Sequence, residues 1–279
     1  MIELGRTQTL RIVNIVEFGL YLDAGTDDYT DNVLLPKNQF ARDEFLEGDQ
    51  IEVFIYRDSE DRIIATRKKP FAQVGELAYL EVTSKTPIGA FLDWGLGKDL
   101  FLPFREQHYD IEVGDKYLVK VYVDHSDRLC ATTSIYSALF SDSEYQKNDF
   151  VEGIAYEVRA DVGVLVAIDN QYYGLIPENE YFNKIKEGEK LTLRVIRVRE
   201  DGRLDVTPRK LVQEQIGEDA EMILEKLKEK GGQMSIHDKS DPRDIKKELG
   251  MSKKAFKRAV GGLLKAGTIE KIENGLKLK

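Results

Sequence analysis

The chain has 279 residues, of which 33% are charged and 42% hydrophobic, the balance of folded globular domains rather than of disordered or fibrous chains. No run approaches the roughly 18 apolar residues of a membrane span, and Met1-Ile2-Glu3 lacks the basic, apolar start of a signal peptide, so the expected setting is cytoplasmic, with no membrane partner. The net charge of −9 argues against indiscriminate gripping of a polyanion, but it is unevenly spread: −5 over residues 1–70, −6 over 71–146, −2 over 147–216 and +4 over 217–279.

The first predicted unit begins at Gly5. Thr7 to Val16 reads as a long strand rich in β-branched and aliphatic residues. Gly19 lets the chain bend before a second strand, Leu20 to Asp23. A polar, acidic loop over Ala24 to Asn32 leads to a short apolar strand at Val33 to Leu35, which Pro36 stops. After a turn around Lys37 to Phe45, the dipeptide Gly48-Asp49 precedes a strand from Gln50 to Arg57. Asp58 to Asp61 is a hairpin loop, and Ile63 to Thr66 closes the unit. Five short strands in about 65 residues, without a useful amphipathic helix, are what a small closed barrel of the oligonucleotide-binding kind requires.

The same marks return twice. Phe18-Gly19-Leu20-Tyr21, Leu34-Leu35-Pro36, Gly48-Asp49 and Arg62-Ile63 reappear as Ile88-Gly89-Ala90-Phe91, Phe101-Leu102-Pro103, Gly114-Asp115 and Arg128-Leu129. They reappear again as Val162-Gly163-Val164-Leu165, Leu175-Ile176-Pro177, Gly188-Glu189 and Arg203-Leu204. Repeat lengths of 70 and 78 residues exceed any solenoid unit, so each copy should own a core. The lone Cys130 falls inside the last strand of its copy, where the others have Ile64 and Asp205. No His and acid partner recurs at matching positions, so it reads as a strand residue rather than a nucleophile. His108, His125 and His237 have no metal-ligand spacing, so neither metal nor cofactor is expected.

The third copy differs in charge. Its strand Leu191 to Val198 carries Arg194 opposite in facing to Leu193 and Val195, with Arg197 and Arg199 at its end and Arg159 closing its first strand. One by one these are ordinary solvated arginines, but their clustering favours phosphate contact, since a planar guanidinium matches phosphate geometry. Ser134 to Asn148, polar and open to helix, links copies two and three, and Leu211 to Gly217 leads out of the third.

Beyond it the period changes. Ala220, Ile223, Leu224 and Leu227 recur at helical spacing and stop at Gly231-Gly232. Asp241 caps a second helix with Pro242 in its first turn, and Ser252 caps a third. In that third helix Phe256, Val260, Leu263 and Leu264 share one face, while Lys254, Lys257 and Arg258 fall on the other beside Lys253. Thr268 to Lys279 spells a hairpin with Asn274-Gly275 as its tip. Three helices and a hairpin form a winged helix, with helix three as the recognition helix. The expected fold is therefore mainly β and multidomain: three tandem five-stranded OB-fold barrels over 1–70, 71–146 and 147–216, then an α/β winged-helix domain over 217–279.

The order of these marks in each copy resembles the S-one RNA-binding domain. The usual His after Leu-Val is replaced here by Pro36, Pro103 and Pro177, which removes one RNA-contacting side chain. What the resemblance implies is an aromatic pair around the glycine that stacks on bases: Phe18 and Tyr21 in the first copy, Ile88 and Phe91 in the second, Val162 and Leu165 in the third. The platform fades along the chain. Packing between neighbouring barrels is the other account of Phe18, Tyr21 and Phe91. Three such barrels with a winged helix, and the segment Gly250-Met251-Ser252-Lys253-Lys254-Ala255-Phe256-Lys257-Arg258-Ala259, resemble the conserved virulence factor B family of bacterial RNA-binding regulators.

The expectation is a non-enzymatic binder of single-stranded RNA that regulates gene expression after transcription. Its phosphate contacts would be Arg159, Arg194, Arg197, Arg199, Lys253, Lys254, Lys257 and Arg258, and its stacking residues Phe18, Tyr21 and Phe91. A DNA-binding transcription regulator ranks behind it, because helix three offers no Asn, Gln or second Arg to read base edges. An acidic adaptor on the ribosome or the transcription or translation machinery is the remaining alternative. No phosphate-cradling loop, nucleophile elbow or paired carboxylates mark a catalytic site.

Overall fold

The computed structural model describes residues 1–41, 44–181, 183–209 and 212–279, the side chains of 212–216 and 218 excepted. Residues 42 and 43 of the turn expected over Lys37 to Phe45, and Leu211 at the head of the last link, lie outside that set. The described residues form two compact units, Met1–Pro208 and Arg209–Lys279. Among them, no helix is long and apolar enough to cross a membrane.

The first unit holds three closed barrels. Strands β1 (Thr7–Val16), β2 (Gly19–Leu22), β3 (Val33–Pro36), β4 (Gln50–Arg57) and β5 (Ile63–Thr66) close in the order β1-β2-β3-β5-β4. The second barrel is β6 (Leu77–Thr86), β7 (Gly89–Asp93), β8 (Leu100–Pro103), β9 (Lys116–Val123) and β10 (Leu129–Thr132). The third is β11 (Phe150–Arg159), β12 (Gly163–Ile168), β13 (Tyr172–Pro177), β14 (Lys190–Val198) and β15 (Leu204–Thr207). Every ladder is antiparallel except β3 with β5, β8 with β10 and β13 with β15, the parallel contact that closes each ring.

Each first strand pairs with two neighbours, and it does so by bending. A bulge falls between Ile12 and Asn14, Val82 and Ser84, and Ala155 and Glu157, the same place in all three copies. The glycine that opens each second strand has a specific cause. A Cβ on Gly19 would stand 2.3 Å from the Leu35 carbonyl oxygen, and on Gly89 2.4 Å from that of Leu102. The close approach of β2 to β3 requires glycine there, in place of the sharp bend expected from the sequence.

The barrels are docked on one another. Phe54, outward on β4 and 2% exposed, packs into the core of the second barrel edge-on to Trp94 at 5.7 Å. The second and third barrels share a cluster of Leu118, Ile135, Leu139, Ile154, Tyr156 and Ala167, and the Tyr79 hydroxyl donates to the Gly188 carbonyl at 2.7 Å.

The segment between the second and third barrels is not helical beyond one 3₁₀ turn at Tyr136–Ala138. It is a strap, anchored by buried Ile135 and Leu139 and bridged in parallel to the start of β13 through Phe140.

The second unit consists of α1 (Val212–Glu229), β16 (Gln233–Met234), α2 (Pro242–Leu249), α3 (Lys253–Lys265), β17 (Ile269–Ile272) and β18 (Gly275–Leu278), with the sheet ordered β16-β18-β17. Helix α1 starts well ahead of the apolar positions that announce it. Asp241 accepts from the Arg243 amide, Ser252 accepts from that of Ala255, and Gly250 takes the left-handed conformation that ends α2. Ile223, Leu227, Ile245, Phe256, Val260 and Leu276 centre the core. The hairpin tip is Glu273 and Asn274, not Asn274-Gly275, because Ile272 pairs with Gly275. Gly275 lies within β18, where a Cβ would sit 1.9 Å from the Met234 carbonyl oxygen.

Candidate nucleic-acid interface

Side chains of each second strand alternate between core and exterior, and residues paired across a ladder point the same way. On the outer faces the register sets Tyr21 against Leu34, Phe91 against Phe101 and Leu165 against Leu175. The fifth strand adds Ile64, Cys130 and Asp205 at the matching positions. One face is therefore built three times, with different chemistry each time.

In the first barrel Phe18 and Tyr21 meet edge-on with ring centroids 6.3 Å apart, and Phe18 is 58% exposed. Packing between barrels falls to Phe54 instead of to this pair. Arg62 nearby is held by Asp58 at 2.7 Å and Glu60 at 2.9 Å.

In the second barrel Phe91 and Phe101 lie 5.3 Å apart on the floor of a cleft of about 510 Å³, with Ile88 exposed at its edge. Lys98 and Arg128 stand in the same cleft, and its far wall is Tyr56, Arg57 and the β4–β5 hairpin of the first barrel. Cys130 is buried there, 3.9 Å from Asp124. Burial, reinforced by Asp124, pushes its thiol up to about 12 and keeps it protonated, which agrees with a strand residue rather than a nucleophile.

In the third barrel the strap lies along part of the face. Tyr173 packs on it, its ring 4.8 Å from that of Tyr136 and its hydroxyl donating to the Tyr136 carbonyl at 2.7 Å, while Leu165 packs against the cluster that includes Ile135 and Leu139. The Arg203 guanidinium lies 4.9 Å from the Tyr173 ring and 5.6 Å from that of Tyr136. The turn before Arg203 leaves no room for a Cβ on Gly202, which would come within 1.7 Å of the Ser141 carbonyl oxygen.

The four arginines expected to meet phosphate have different surroundings. Arg159 is exposed but paired with Glu157 at 2.7 Å. Arg199 pairs with buried Asp205 at 2.6 Å, and that hydrogen bond holds its guanidinium above the usual range. Arg194 donates to Asn148 at 3.1 Å, while its Nε is buried with no partner among the described residues. Arg197 is exposed, with no hydrogen bond or ion pair among the described residues. The bulge between Val195 and Arg197 puts Arg194 opposite Thr207 and Arg197 opposite Asp205, both on the outer face.

In the second unit Lys254, Lys257 and Arg258 are exposed on α3 and unpaired among the described residues, whereas Lys253 donates to the Ser240 carbonyl at 2.9 Å. The first turn of α3 carries no acid and two lysines. Cations there oppose the helix dipole, so this end is left positive by both side chains and backbone.

Phe101, Lys98, Arg128 and Arg57 join the site only in the folded chain. Phe101 had a signal, because it alternates with the buried Leu100 and Leu102 and so must face outward. Arg128 had one too, as the repeat mark it shares with Arg62 and Arg203, whereas Arg57 had none, since only the docking of two barrels brings it and the first hairpin to the second barrel.

Three OB barrels, the first two with aromatic rings on an outer face, followed by a winged helix with exposed lysines, have the architecture of the multidomain nucleic-acid-binding class. Comparison with known proteins agrees. Residues 4–68 and 74–134 match the S1 domain, 137–209 the second domain of virulence regulatory factor CvfB, and 221–278 the CvfB-like winged helix domain. The chain is 36% identical to the uncharacterized protein YitL of Bacillus subtilis, across 97% of this chain and 92% of that one. It is 27% identical to conserved virulence factor B of Staphylococcus aureus, across 97% and 92%. A crystal structure of a multidomain protein with nucleic acid binding domains from Streptococcus pneumoniae is 26% identical, with a TM-score of 0.55 over 99% of this chain and 98% of that one. The chain belongs to the conserved virulence factor B family.

Proposed function

We propose that this chain is a cytoplasmic, non-enzymatic regulator that binds single-stranded RNA and acts on gene expression after transcription. The observation that carries the reading is the second barrel, where the Phe91 and Phe101 rings share one open face with Lys98 and Arg128. Stacking on a ring is worth about 1–3 kcal/mol per base and tolerates any sequence. Bases stack on Phe18, Tyr21 and Phe91. Phosphates meet Arg197, Lys254, Lys257 and Arg258 directly, and Arg159, Arg194, Arg199 and Lys253 once each gives up its intramolecular partner. The single strand is favoured over duplex because stacking needs unpaired bases, and α3 carries no Asn, Gln or second Arg to read base edges.

The test is fluorescence anisotropy of a labelled single-stranded RNA titrated with the full chain at several salt concentrations. The double change Arg197→Gln, Lys257→Gln should flatten the log-log salt slope by about 1.4, since each single-strand phosphate contributes about 0.7. An unchanged slope contradicts the phosphate assignment, and duplex DNA competing as well as the RNA transfers the activity to the winged helix. Association with ribosomes or polymerase that survives nuclease treatment would favour the adaptor instead.

A further inference from the structure

The cleft between the first two barrels has properties that a running strand does not need. Its floor belongs to the second barrel, in Phe91 and Phe101, and its opposite wall to the first. The two walls are tied together. The Lys98 ammonium donates to the Asp58 carbonyl at 2.7 Å, and Arg57 donates through Nε to the Asp127 carbonyl at 2.7 Å. Asp61, at the tip of the first barrel's hairpin, lies 3.5 Å from Lys98 and 3.6 Å from Arg128. With Phe54 locked against Trp94 below, this is a built cavity rather than a chance gap. Its 510 Å³ fall within the range of roughly 300–1,000 Å³ typical of small-ligand sites.

The charge of the cleft limits its occupant. Arg57, Lys98 and Arg128 are opposed by Glu60, Asp61 and Asp99, so the formal sum is zero. Such a site has no net attraction for a length of polyanion but accepts one phosphate, provided that the phosphate takes the place of the carboxylate already resting on the two cations. An aromatic floor beside a pair of cations reachable by one phosphate is the chemistry that recognises a single nucleotide.

We infer that the cleft receives one nucleotide of RNA, its base on Phe91 and Phe101 and its phosphate displacing Asp61 from Lys98 and Arg128. This rests on the RNA-binding reading and narrows it: the second barrel holds one isolated nucleotide, either the end of a strand or a base extruded from it, rather than a stacked run. Asp61 is a built-in competitor that keeps the site weak for mononucleotides and ties its occupancy to the first barrel.

The chain carries one tryptophan, Trp94, which lines this cleft and donates from its indole N–H to the Lys98 carbonyl at 2.7 Å, so its fluorescence reports on Lys98. Adenosine 5′-monophosphate titrated into the full chain should change that fluorescence saturably. Asp61→Asn should tighten the binding by roughly fivefold or more, the effect of removing one carboxylate about 4 Å from the phosphate's cations. Arg128→Gln should weaken it by a similar factor. Both residues are exposed, so both variants should fold. A linear RNA that changes the signal while the same sequence closed into a circle does not would identify a strand end, and an equal response to both would identify an extruded base. No saturable change with adenosine 5′-monophosphate, or weaker binding by Asp61→Asn, overturns the inference. If anisotropy still reports RNA binding in that case, the general reading stands without it, and loss of both signals rejects both.

Discussion

The second and third barrels are copies of one design with opposite fates for the same face. In the second, β7 and β8 present Phe91 and Phe101 to an open cleft. In the third, the matching Leu165 and the neighbouring Tyr173 pack against the cluster that holds Ile135 and Leu139 of the strap, and Arg203 lies over two tyrosine rings. The change from aromatic to aliphatic at one position goes with a change of occupant: where the chain covers its own face, stacking rings are not needed. What the third barrel keeps exposed on its outer side is Arg197 of β14, opposite Asp205.

The largest expected effect comes from uncovering the third barrel. Leu139→Ala removes a strap anchor that is 6% exposed and should cost about 2–5 kcal/mol in chemical denaturation. It should also expose Leu165 without adding RNA affinity. A gain in affinity would mean that the strap hides a competent site. Next, Phe91→Ala should cost about 1–3 kcal/mol of single-stranded RNA affinity, whereas Leu165→Ala should leave affinity unchanged. Equal losses at both positions would erase the distinction between the barrels.

The arginines of β14 and the following turn should separate stability from binding. Arg199→Gln leaves Asp205, 8% exposed, without its cation and should cost about 1–3 kcal/mol of stability. Arg197→Gln should leave stability alone and reduce the salt slope by about 0.7. The smallest effect is confined to high pH. Burial raises the Cys130 thiol to about 12, so the folded chain holds this proton more tightly than the unfolded one. Its contribution to stability is complete below the ordinary thiol range and is lost as pH rises from that range toward 12. Denaturation midpoints of the parent chain should fall more steeply above pH 9 than those of Cys130→Ala.

The barrels are legible in the sequence because their marks answer local demands: Gly19 and Gly89 to a carbonyl that leaves no room for a Cβ, and Gly48 and Gly114 to turns with positive φ. Helix caps at Asp241 and Ser252 are legible for the same reason. The strap is not, because its two anchors, Ile135 and Leu139, stand four residues apart, which fits a helix as well as an extended segment pressed onto a neighbour. Asn274-Gly275 misleads in a related way, since the glycine answers to Met234 across the sheet and not to the turn. At the interface, Phe18, Tyr21 and Phe91 are found by position in the repeat. Lys98, Arg128 and Arg57 are brought together by docking, and Arg159 and Arg199 are engaged by Glu157 and Asp205, which a count of charges along the chain does not reveal.

The account's central claim is that bases meet the open faces of the first two barrels while the third offers only phosphate contacts. Photo-crosslinking of the full chain to a single-stranded RNA uniformly substituted with 4-thiouridine, read by mass spectrometry, addresses it directly. Crosslinks should concentrate on Phe18, Tyr21, Phe91 and Phe101 and be absent from Leu165, Tyr173 and Leu175. Crosslinks on those three residues, with none on the rings of the first two barrels, would contradict it.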